Sequence, residues 1–160
     1  MMPGPAPATE ANRKKIRMGQ IHKLRSDLEA GIALFNSGQF FDAHEVWEQI
    51  WLHARLPRKT FLQGLIQIAA AFHHYSRENR RGAQSLLAAG LAKLDQFPAD
   101  YRGMALGEFR AAVGEWASAL GEETGSGLPR APKIRMLRPA RVKRRKTSVR
   151  SAGSKPKARC

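Results

Sequence analysis

Three observations predict an all-α bundle of about five helices between residues 18 and 120. Apolar residues recur every three or four positions in separate runs, Gly, Asn and Pro punctuate those runs, and no stretch alternates with period two and β-branched residues. An apolar fraction of 42% with three Trp can form one modest core, and 160 residues suit one domain with extensions.

Ile21, Leu24, Leu28, Ile32 and Phe35 share one face of a first helix from about Met18 to Asn36, and Gly38 is placed to stop it in a left-handed turn. A second helix from Phe40 to about Ala54 has Asp42 and Glu45 near its positive end. Its face is aromatic: Phe40, His44, Trp47 and Trp51 follow a four-three-four spacing. Pro57 opens a third helix, nearly apolar all round, that runs to about Arg77 and is expected at the centre. Asn79 is a good N-cap for a fourth, whose Ala83, Leu87, Gly90 and Leu94 form a stripe with small residues. Leu106, Phe109, Val113, Trp116 and Leu120 define a fifth helix.

The formal charge of +15 is unevenly distributed. Residues 1–25 hold six Lys or Arg against one acid, 26–120 hold nine against ten, and 121–160 hold thirteen against two, so the segments carry +5, −1 and +11. Basicity therefore belongs to the extensions. Segments 1–17 and 121–160 have too few apolar residues to offset the entropy of ordering and are expected to be a disordered basic arm and tail. Arg141, Lys143, Arg144, Arg145 and Lys146 are the densest cluster; nucleic acid or another polyanion is its expected partner, by phosphate neutralisation without base stacking. The alternative role for such a tail is a solubilising extension.

The N-terminus lacks the charged-then-apolar order of a secretory signal, and no apolar run is long enough for a transmembrane segment. The single cysteine, Cys160, excludes an intramolecular disulfide and fits a cytoplasmic location. No glycine-rich phosphate loop follows a strand, and no Ser-His-Asp arrangement can be inferred.

Phe35-Asn36, Gly38, Phe41, Ala43-His44-Glu45, Glu48 and Trp51, then Phe61 to Gln67, His74, and Asn79 with Gly82-Ala83 resemble the signature of the domain of unknown function 309 family. The resemblance covers roughly the first four helices and implies a small helical bundle with no established substrate. It also favours His74 over His73 as the histidine facing helix two. Ala33, Gly38, Phe41 and Ala43 are similar to a tetratricopeptide hairpin, but the pattern occurs once.

Two kinds of chemistry compete for the polar cluster. His44, Glu48 and His74 could hold Zn or Fe, or serve with Glu45 as a hydrolase-like acid/base site, because imidazole and carboxylate suit both tasks. The spacing is neither that of a zinc protease nor that of a di-iron bundle. The structural alternative is a buried network in which His44 bonds to Glu48, Gln67 or a third-helix histidine and locks helix two onto helix three. Gln63 and Gln67 would bind a ligand amide or satisfy neighbouring helices, and Trp47 and Trp51 would stack a ligand or fill the core. Taken together these features favour a non-enzymatic binding or scaffold protein, with the enzyme as the alternative.

Overall fold

The computed structural model describes residues 9–122 and 127–138. Among them are five α-helices: α1 (Glu10–Asn36), α2 (Phe40–Leu52), α3 (Arg58–Ser76), α4 (Arg80–Leu94) and α5 (Leu106–Gly121), with a 3-10 turn at Tyr101–Gly103 before α5. No strand is present among the described residues; the only pairing of that type is an isolated antiparallel bridge between Met104 and Met136. No helix of the described residues is long and apolar enough to cross a membrane.

The first helix starts at Glu10 rather than near Met18. A helix anchored by its packed end propagates at little cost through good formers, and Ala11, Arg13, Lys14 and Lys15 are such residues. Its buried residues are Leu28, Gly31, Ile32 and Phe35, and residues 9–23 are all exposed, so the first turns project beyond the bundle. The helix ends as expected at Gly38, with φ +83°. There the Gln39 N–H donates to the Leu34 carbonyl and the Gly38 N–H to that of Phe35, closing two orphan acceptors.

Phe35 is the hub of the core. Its ring meets Phe40 at 5.1 Å, Trp47 at 6.0 Å, Phe72 at 5.7 Å and Phe109 at 5.6 Å, which joins α1, α2, α3 and α5 through mostly edge-to-face contacts. The third helix is the central one: Phe61, Leu62, Gly64, Leu65, Ile68, Ala69, Ala71 and Phe72 are all buried. It crosses α4 closely because two glycines face each other. A Cβ at Gly90 would stand 2.9 Å from the Gly64 carbonyl oxygen, and one at Gly64 would stand 3.2 Å from that of Gly90.

Side chains close the helix ends that face one another. Arg110 of α5 donates to the carbonyls of Leu94 and Phe97 at 2.8 and 2.7 Å, and Arg80 and Gln84 of α4 donate to the carbonyl of Leu120.

The expectation of a disordered tail from residue 121 is corrected for 127–138. This segment is an extended strap laid over the bundle, with Ile134 only 3% exposed and Leu128 and Met136 against the core. Asn36 holds it from both sides: its Nδ2 donates to the Ile134 carbonyl and its Oδ1 accepts from the Ile134 N–H, each at 2.8 Å. Further along, the Ala105 N–H donates to Arg135, the Leu137 N–H to Gly103 and Trp116 Nε1 to the Pro129 carbonyl. Arg135 also forms a two-pronged pair with Glu108. The strap cannot build a core of its own, but it borrows one. The cluster Arg141 to Lys146 lies outside the described residues.

Candidate functional site

Helices α2 and α3 run antiparallel, as two contacts fix: Phe41 meets His73 at 5.2 Å, and the Lys59 ammonium stands 4.3 Å over the Trp51 ring. The polar residues singled out in the sequence line this seam and its flank. His44 is half-buried and its ring lies parallel to that of Phe41 at 6.2 Å, a side chain that is itself 49% exposed. Glu48 is half-buried and Glu45 exposed. Trp47 is wholly buried and its Nε1 donates to the Leu28 carbonyl at 3.3 Å, which makes it a core residue rather than a ligand platform.

The expected network around His44 is not formed. His44 Nδ1, Trp51 Nε1 and Gln67 Oε1 are buried without a hydrogen-bond partner among the described residues. Gln67 leans to the other side of α3, its Cβ close to Gly90 of α4, and is therefore turned from His44. Gln63 is half-buried. Nor do His44, Glu48 and His74 converge: no group of three His, Cys, Asp or Glu among the described residues is placed to hold a metal ion. A zinc or iron site needs such convergence of ligands.

The preference for His74 as the residue facing helix two is also corrected. His73 makes that contact through Phe41, and His74, one residue and about 100° further round the helix, turns to the α3–α4 corner. There Asn79 divides its amide between two tasks. Its Oδ1 accepts from the Gly82 N–H at 2.9 Å and caps α4, and its Nδ2 meets His74 Nδ1 at 3.0 Å. Gly82 leaves room for that side chain, since a Cβ there would come within 2.6 Å of Asn79 Nδ2. His74, Asn79 and Gly82 thus form one clamp. Gly31 plays a comparable part under the Trp47 indole, where a Cβ would overlap the ring.

A second concave region was not foreseen. At the end of the bundle where α1 emerges, a groove of about 520 Å³ has an apolar floor that includes Ile21, Leu24, Leu28 and Met136, and Arg58, Arg102 and Arg138 stand around it. Burial, and next the positive charge of Arg102, lower the Arg58 pKa from its ordinary value, with Tyr101 opposing. Arg102 lies in the left-handed region at φ +55°, with its guanidinium 5.9 Å from the Tyr101 ring. No carboxylate pairs with any of these three arginines among the described residues; the ion pairs there are Arg25–Glu29, Arg110–Asp95 and Arg135–Glu108. The three come from the start of α3, the turn before α5 and the end of the strap, so no local motif could have announced them.

With this geometry in hand, comparison with known proteins is informative about the clamp and the seam. Residues 28–86 match the family model described as Domain of unknown function (DUF309). The matched segment runs from the buried part of α1 to the middle of α4. It is 33% identical over 82 residues to an uncharacterised protein of Aquifex aeolicus (strain VF5), covering 51% of this chain and 25% of that protein. It is 38% identical over 50 residues to the uncharacterised protein YpuF of Bacillus subtilis (strain 168), covering 31% of this chain and 29% of that one. The chain therefore spans little more than a quarter of the length of these relatives. The DUF309 segment contains the Asn79 clamp, the glycine crossing partner Gly64 and Arg58, whereas Arg102, Arg138 and the strap lie beyond it.

Proposed function

We propose that this protein is a non-enzymatic helical binding module that associates with nucleic acid through its basic end. One observation carries this reading: α1 and the strap, each of which leads in sequence into a basic stretch, line one groove. Ile21, Leu24 and Arg25 of α1 line it from one side and Met136, Leu137 and Arg138 of the strap from another. Beyond Ile21, the face of α1 that packs on the core continues as Arg17, Lys14 and Arg13 at helical spacing. Beyond Arg138, the sequence continues into Arg141, Lys143, Arg144, Arg145 and Lys146. A near-neutral bundle whose extensions carry the excess positive charge suits phosphate neutralisation, which is independent of sequence and sensitive to salt.

The test is a titration of the full chain with single-stranded and duplex oligonucleotides over a range of salt. Affinity should fall steeply and linearly in log–log form, and truncation after Arg138 should weaken binding and flatten that slope. Equal affinity of the full and truncated chains at low salt would refute the part assigned to the tail, and no binding by either would refute the whole.

A further inference from the structure

We propose that the groove ringed by Arg58, Arg102 and Arg138 is a binding site for the terminal phosphomonoester of a nucleic-acid strand. This deepens the nucleic-acid reading and rests on it. Arg58 is partly withdrawn from water, Arg102 stands close enough to disfavour its charge further, and no carboxylate forms an ion pair with either of them among the described residues. Glu29 also lines the groove, but its carboxylate is taken by Arg25, and guanidinium stays protonated at any ordinary pH, so the three arginines leave a net positive charge there that favours an arriving anion.

The charge and the shape of the groove select among anions. A phosphodiester within a strand carries one negative charge, whereas a terminal monoester carries nearly two at neutral pH and offers three oxygens to forked donors. Three guanidiniums around one groove match the second better. The floor of Ile21, Leu24, Leu28 and Met136 removes water from one side of the anion, which strengthens each contact. Arg102 is held in a left-handed backbone conformation that an L side chain seldom adopts. Strain of this kind, at a residue that points a charge into a groove, fits a binding role rather than a packing one.

A place for the attached nucleoside lies next to the groove. On the far side of Leu24, a second groove of about 470 Å³ also reaches Arg58 and is lined by the hydrogen-bonding side chains of Gln20, Asp27, Gln49 and His53. Arg58 and Leu24 belong to both. A strand end thus sets its phosphate among the arginines and its last nucleoside against the polar wall.

The experiment uses the full chain and fluorescence anisotropy with short single strands labelled at one end. The other end carries a hydroxyl, a 5′-phosphate or a 3′-phosphate, and a hydroxyl-ended strand two nucleotides longer supplies the charge-matched control. One of the phosphorylated strands should bind about tenfold more tightly than the control, a difference of about 1.4 kcal/mol. That preference should vanish in Arg102→Gly, a change that removes the charge and suits the left-handed backbone, and in Arg58→Gln. Binding of the hydroxyl-ended strand should fall only slightly in both. Inorganic phosphate, at ionic strength balanced with chloride, should abolish the preference and leave the hydroxyl-ended strand bound. Equal affinity for phosphorylated and charge-matched strands would overturn the end-binding site while leaving the nucleic-acid reading intact. A preference that persists in Arg102→Gly and Arg58→Gln would place the phosphate elsewhere and overturn it too. Failure of every strand to bind would remove both readings.

Discussion

Replacing Asn36 by Ala should release the strap without unfolding the bundle. Asn36 is the last residue of α1, so Ala costs the helix nothing, and the two hydrogen bonds to Ile134 are what is lost. At roughly 1 kcal/mol net for a neutral bond, with scatter, the pair is worth about 1–3 kcal/mol. If the strap stayed docked, the N–H and carbonyl of Ile134 would be left without partners at a cost of about 1–3 kcal/mol each. Undocking avoids that cost but forfeits burial of the Ile134 side chain, about 1.5–3 kcal/mol, together with the strap's remaining bonds to Gly103, Ala105 and Trp116. The variant therefore loses about the worth of the pair, and local opening of the strap becomes easier by about 2 kcal/mol. Hydrogen exchange read by mass spectrometry should therefore accelerate roughly 10- to 100-fold in peptides covering 128–138. Peptides from α3 should change much less. Unchanged exchange in the strap, or equal acceleration in α3, would refute the assignment of Asn36 as its anchor.

At the α3–α4 crossing, Gly90→Ala should cost about 1–3 kcal/mol in urea unfolding, because its Cβ would meet Ile68 Cγ1 at 2.7 Å and the Gly64 backbone at 2.9 Å. Gly114→Ala in α5 meets nothing within 4 Å and should instead stabilise by about 0.5–1 kcal/mol; a reversed order of the two midpoints would show that the crossing is not tight. Asn79→Ala should lose about 0.5–2 kcal/mol of capping, while Asn79→Asp keeps the Oδ1 acceptor and should lose less; equal losses would show that the cap is not the contribution that matters. Arg135 donates to Glu108 and holds its carboxyl below the ordinary 4.5. A depressed carboxylate stabilises above its unfolded pKa and stops doing so as pH falls through its folded one. The faster strap exchange expected of Glu108→Gln, compared with the parent at the same pH, should therefore be seen at pH 7 and disappear below pH 4.5.

Much of the fold was legible because it depends on local periodicity. The stripe Leu106, Phe109, Val113, Trp116 and Leu120 is buried as its spacing predicts, α3 is central as its all-round apolarity predicts, and Gly38 and Asn79 end and start helices as their chemistry predicts. The start of α1 and the strap were not legible by the same logic. Neither segment has the apolar residues to order alone, and each is ordered by an attachment elsewhere. The candidate site divides in the same way. Helical spacing put Phe40, His44, Trp47 and Trp51 on one face of α2, yet whether a neighbouring polar group reaches His44 is a matter of side-chain direction on another helix.

The sequence by itself determined the helices, their buried faces and the charge of the extensions, since each depends on residues a few positions apart. Tertiary structure alone decided which histidine meets α2, that Asn36 holds a strap 98 residues away, and that Arg58, Arg102 and Arg138 stand round one groove. The physical reason is range. Periodicity and capping act within a turn or two of the chain, while a hydrogen bond between distant segments, or like charges brought together, exists only once the helices have packed.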